Sequence, residues 1–142
     1  MPPIRFLHAA GLNPDAVLPE APASLGDLIE AAPLAAVERL VTEAIEREVD
    51  FLLVTPAPPA DGLPDGPSLR AEDVLREQFE RLAELGIPVY LAVGSRPSGW
   101  ERIAEGDSEV IFLAPGGFAP IADRDGRPVA VLRCVDRPTA AD

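Results

Sequence analysis

Two short apolar runs, Phe51–Val54 and Val89–Val93, each follow a stretch whose apolar residues recur at three-and-four spacing. This rhythm limits the fold more than any other feature. A strand with no polar alternation is one covered on both faces, as in a parallel sheet. In the first periodic stretch, Leu34, Val37, Leu40, Val41, Ala44, Ile45 and Val49 share one face. Glu38, Arg39, Glu43, Glu46 and Arg47 share the other, which predicts a helix over 33–49 with Pro33 in its first turn. In the second stretch, Ser68 can cap a helix that carries Glu72 and Asp73 near its positive dipole end. Leu75, Phe79, Leu82 and Leu85 read as inward-facing, and Gly86 takes the place just past the helix end. Ile4–His8 reads as an earlier strand, with a long loop over 9–32 behind it. Strand, helix, strand, helix, strand at this spacing predicts an α/β domain whose mainly parallel sheet is built from βαβαβ units with right-handed crossovers.

The pattern changes after Trp100. Val110–Leu113 reads as a short strand, and Pro115-Gly116-Gly117 turns the chain. Phe118–Ala122 and Val129–Val135 flank Arg124-Asp125-Gly126-Arg127, where Asp-Gly signals a tight turn and so a C-terminal antiparallel hairpin. Pro56–Pro67 holds five prolines, two glycines and two aspartates and reads as a stiff surface loop. Residues 138–142 read as a frayed tail, which leaves 1–137 as a single domain. A chain of 142 residues can bury a real core. With 47% hydrophobic residues but only 5% aromatics, that core must be aliphatic.

Charge narrows the partners. There are 24 acidic residues against 12 basic ones, all of them arginine, for a net charge of −12. Such a chain repels a phosphate backbone, and this disfavours nucleic acid as a partner. The single cysteine allows no internal disulfide and fits a reducing compartment. The N-terminus lacks a signal-peptide pattern, and no apolar run approaches the roughly 20 residues of a membrane span. The expectation is a cytoplasmic protein with no membrane contact.

Three segments end strands where α/β sheets keep their chemistry. They are Phe6-Leu7-His8-Ala9-Ala10-Gly11-Leu12-Asn13, Asp50-Phe51-Leu52-Leu53-Val54-Thr55-Pro56-Ala57, and Pro88-Val89-Tyr90-Leu91-Ala92-Val93-Gly94-Ser95-Arg96-Pro97. Their frames resemble the first three motifs of calcineurin-like metallophosphoesterases, especially the nuclease subunit of the bacterial SbcCD complex, which read F-L-H-T-A-D-L-H, D-F-L-L-x-x-G-D and P-V-x-x-x-x-G-N-H-D. The resemblance spans approximately residues 4–135 and covers the front half of that fold. The family's later histidine motifs have no counterpart here.

In that register, Gly11 replaces the first ligand Asp, Asn13 the first ligand His, and Pro56-Ala57 the Gly-Asp pair. Ser95, Arg96 and Pro97 stand where the family has Asn-His-Asp. The resemblance implies two cations about 3.5–4 Å apart, which need carboxylate, imidazole or amide-oxygen ligands. Gly11, Pro56, Ala57 and Pro97 offer no side-chain donor, while Asn13 and Ser95 offer weak neutral oxygens. Arg96 brings a fixed positive charge to the place of a cation. The expectation is therefore no metal, no other cofactor and no catalytic residue. Asp15 and Asp61 read as solvated loop carboxylates rather than substitute ligands. His8, the lone histidine, aligns with a non-ligand position and reads as a partly buried strand residue. Cys134 reads as a small hydrophobe with no histidine left to pair with it.

Two functional readings stand side by side. One is a catalytically degenerate metallophosphoesterase-like domain serving as an interaction or scaffold module. The other is a residual phosphoesterase or an anion binder that uses the Gly94–Gly99 loop, where Gly94, Ser95, Arg96 and Ser98 could hold a phosphate or carboxylate at a strand's carboxyl end. The sequence leaves open whether the chain is a piece of something longer. Strands apolar on both faces, with only two long helices, leave one sheet face short of cover. That predicts a homodimer or a protein partner over the face, unless the proline-rich loops and the hairpin fold across it.

Overall fold

A computed structural model describes residues 3–15, 26–56, 66–93, 99–105, 110–123 and 125–135, with residues 26–30 described by their backbone only. Strands β1 (Phe6–Leu12), β2 (Phe51–Pro56), β3 (Val89–Ala92) and β4 (Val110–Leu113) form one sheet in sequence order. All three pairings are parallel, with Phe6 opposite Phe51, Leu52 opposite Val89, and Val89 opposite Val110. The helices are α1 (Gly26–Glu46), α2 (Leu69–Glu84) and the single turn α3 (Glu101–Ala104). Strands β5 (Phe118–Ala122) and β6 (Pro128–Arg133) make a separate antiparallel hairpin. This is the α/β class that the periodicity predicts.

Sequential parallel strands joined by crossovers of one hand put every connecting helix on the same sheet face. The packing agrees. Val37, Val41 and Ala44 of α1, Leu75, Phe79 and Leu82 of α2, and Ile103 of α3 are buried with Leu52, Val54, Val89 and Leu91 of the sheet. The opposite face is closed by the hairpin, whose Ala119 and Ile121 pack on Phe51, Tyr90 and Leu113. Phe51 meets Tyr90 edge-on at 5.4 Å, and the Tyr90 hydroxyl donates to the Pro120 carbonyl at 3.4 Å. Apolar residues on both sides of β2 and β3 are thus explained by two layers from the same chain. Cys134 packs beside the second layer, as a small hydrophobe should.

Several boundaries differ from the sequence reading. β1 runs to Leu12 and α1 begins at Gly26, so 9–32 is not one long loop. Pro33 lies inside α1 rather than in its first turn. Leu28 and Ile29 carry the apolar spacing back across the proline, a continuity masked by reading Pro33 as a start signal. α1 also stops at Glu46, before Val49. The Glu48 amide donates to Ile45 O at 3.1 Å and the Val49 amide to Ala44 O at 3.3 Å, with Glu48 at φ 51°. That is a Schellman ending with a non-glycine residue in the left-handed position. α2 ends the same way with Gly86 at φ 73°, as expected. Leu85 is 48% exposed rather than inward, because this turn hands the inward place to buried Ile87. At the hairpin tip, Asp123 accepts from the amides of Asp125 and Arg127 at 3.0 Å each, so the turn is wider than two residues. Residues 138–142, read as a tail, lie outside the described residues.

Candidate functional site

The carboxyl ends of parallel strands are where open α/β sheets bind ligands. Here β1, β2 and β3 deliver Gly11–Asp15, Thr55–Pro56 and Val93 to one edge. Gly11 sits in a register break between Ala10 and Leu12 and has φ 69°. A side chain there would meet nothing within 4 Å, so backbone conformation rather than space favours glycine. Asn13 is exposed, and its Oδ1 accepts the Asp15 amide at 3.2 Å in a local turn.

Asp15 departs from expectation. It is exposed, yet both carboxylate oxygens are engaged: Oδ2 accepts the Ser68 amide at 2.8 Å and Oδ1 accepts the Ser68 hydroxyl at 2.6 Å. Ser68 Oγ in turn accepts the Ala71 amide at 3.2 Å. The loop after β1 is thereby tied to the α2 N-terminus, where orphan amides and the helix dipole both favour an anion. Fifty-three residues separate the partners, and nothing local in the sequence announces the contact.

His8 is exposed in β1, which corrects the partly buried reading. Its Nε2 lies 2.9 Å from Thr55 Oγ, and the Thr55 hydroxyl can donate to the Ala9 carbonyl at 3.5 Å. In β1, an edge strand beyond the reach of the hairpin, alternate side chains on that face stay in solvent. Ala57, Asp61, Gly94, Ser95, Arg96, Pro97 and Ser98 lie outside the described residues. Just past them, Gly99 leads into buried Trp100 and α3.

A second polar cluster fastens α3 to α2. Glu72 Oε1 accepts from Arg76 at 2.9 Å, and Glu72 Oε2 lies 3.5 Å from Arg102 Nε. Arg76 also donates to the carbonyls of Arg102 and Glu105. The four-residue step from Glu72 to Arg76 was readable as a helical ion pair, but the link to Arg102 was not. An open groove lined by Ile4, Arg5, Phe6, Leu7, Arg47 and Val49 lies at the amino-terminal edge of the sheet, opposite the candidate site.

Among the described residues, no three His, Cys, Asp or Glu side chains converge as a metal site. The donors at the β1 and β2 ends bond one another or α2 instead. No protein-family model matches the chain. The chain is 34% identical to a curated protein, the uncharacterized metallophosphoesterase YhaO of Bacillus subtilis (strain 168), with 91% of the chain aligned. The likeness is to a metallophosphoesterase. The chain spans about a third of that relative's length, 32%. Over the aligned stretch the chain is similar to a metallophosphoesterase, and the described strand ends bring no cluster of metal-binding side chains together. No described helix is long and apolar enough to cross a membrane.

Proposed function

We propose that the chain is a catalytically degenerate metallophosphoesterase-like domain, with frames of the SbcCD nuclease-subunit type, that acts as an interaction or scaffold module. The observation that carries this reading is the engagement of Asp15. The described carboxylate nearest in sequence to the lost Gly11 and Asn13 ligand positions spends both oxygens on Ser68. Freeing it for a cation would strip the α2 N-terminus of its anchor. Gly11 and Pro56 supply no donor, and Asn13 is turned to its own loop. A net charge of −12 favours a protein partner over nucleic acid, and the single cysteine suits the cytoplasm. Hydrolysis of bis-p-nitrophenyl phosphate with added manganese is the test. The expected rate equals the protein-free control, and chelator-sensitive turnover would sink the reading.

A further inference from the structure

We propose that the outer edge of β6 is a docking edge that pairs antiparallel with β6 of a second copy of this chain. The two edges of the hairpin are not alike. The Cys134 amide donates to Gly117 O at 2.9 Å, which fixes Gly117 and Cys134 as a hydrogen-bonded pair. Antiparallel alternation then makes Ala119–Leu132 and Ile121–Ala130 bonded pairs, and leaves Phe118–Arg133 and Pro120–Val131 non-bonded. The backbone groups of these last four residues point away from the hairpin. On β5 the central one is Pro120, which has no N–H and blunts that edge. On β6 they are Val131 and Arg133, which present full donor and acceptor pairs, and β5 is the only strand beside β6 among the described residues. Among the described residues, one edge is blunted and the other is open.

The outer face of the hairpin supports the same conclusion. Phe118 is 71% exposed, Val131 65% and Val135 71%, beside exposed Pro120. In a chain with 24 acidic residues, β5 and β6 contain none; their single charged residue is Arg133. Copies with a net charge of −12 repel least where no carboxylate lies, so the charge distribution favours this edge for self-contact. The β6 sequence is also self-complementary. With the two-fold axis at Val131, each Val131 faces its twin, Ala130 faces Leu132, and Arg133 faces Val129, so no like charges oppose. The product is a four-stranded sheet ordered β5, β6, β6, β5 in place of two marginal two-stranded ribbons.

This deepens the interaction-module reading and rests on it for its purpose, but it fails on different measurements. Sedimentation of the full chain across micromolar concentrations should show a reversible species of twice the 15.0 kDa chain mass. Val131→Pro removes an outward N–H without removing a bond to β5, and Val131→Arg sets two charges against each other across the axis. Each should raise the dissociation constant by about tenfold or more while far-UV circular dichroism stays native. Should both variants unfold, amide exchange on the parent decides. Protection of Val131 and Arg133 should rise with protein concentration while that of Phe118 does not. A parent that stays at 15.0 kDa overturns the proposal, as does a dimer unmoved by both folded variants or amide protection independent of concentration.

Discussion

The two faces of the four-stranded sheet are covered by different means. On the helix side, Leu52, Leu75, Phe79, Leu82, Leu91 and Ile103 have essentially no exposed surface, and three helices interlock over them. On the hairpin side, Phe51, Tyr90 and Leu113 are well buried, but Phe6 at the β1 margin is 51% exposed, as is much of the hairpin's outer surface. Phe6 stacks on Phe51 at 4.8 Å, extending the apolar surface past the end of its cover. Among the described residues, one face is a finished core, whereas the other is covered by a single hairpin that leaves Phe6 half exposed. The fully buried side chains are concentrated in the helix layer, and the surface proposed for association lies on the hairpin layer.

Large-to-small substitutions separate the faces most strongly. Leu82→Ala should cost about 2–5 kcal/mol by chemical denaturation, since rigid neighbours cannot collapse on the cavity. Ile121→Ala on the hairpin should cost less than half as much, because a ribbon tethered at few points can settle inward. Equal losses would mean the faces are equally well built. Leu40 and Ile45, partly buried at the flank of α1, should fall below Val41 and the other central positions when truncated.

The next effect is local to the candidate site. Asp15→Ala should destabilise by about 0.5–1.5 kcal/mol, the usual net range for a hydrogen bond, by releasing the amide and hydroxyl of the Ser68 cap, and should loosen α2 amide protection at Ala71. No change in stability would return Asp15 to the status of a solvated loop residue. A smaller gain is expected from Glu48→Gly. This should stabilise by about 0.5–1 kcal/mol by relieving the φ 51° conformation that Gly86 accommodates without strain at the end of α2. A loss would show that the Glu48 side chain contributes more than its backbone costs.

The smallest effect reports on the hairpin cover itself. Burial pushes the Tyr90 phenol above its ordinary value of 10.0, favouring the neutral form in the folded chain. A group raised in the folded state contributes stability below its unfolded pKa and loses it as pH climbs through the folded one. Stability should therefore decline above about pH 10, with a tyrosine absorbance midpoint shifted upward. Tyr90 is the only tyrosine, so the signal is unambiguous. A midpoint at the free value would place Tyr90 in solvent and the hairpin off the sheet.

The strands and α2 were legible because burial imprints period and composition on contiguous residues. Phe51–Val54, Ser68 as a cap and Gly86 as a stop all came from neighbours in sequence. The early start of α1 was hidden because Pro33 has two readings, and the exposure of Leu85 because a Schellman turn breaks the helical phase. The candidate site was half legible. Missing donors at Gly11 and Pro56 can be read from residue type alone. The Asp15–Ser68 tie, the His8–Thr55 contact and the Glu72–Arg102 link join residues from 30 to 53 apart, and no periodicity encodes such pairs.

Manganese titration by calorimetry tests the proposed loss of the metal centre most directly. Gly11 and Pro56 supply no donor, Asn13 Oδ1 accepts the Asp15 amide and Asp15 is engaged by Ser68, so no saturable heat is expected for the parent, and none should appear for Asp15→Ala. A saturable site of micromolar affinity in the parent, abolished by Asp15→Ala, would contradict the degenerate reading and make Asp15 a ligand.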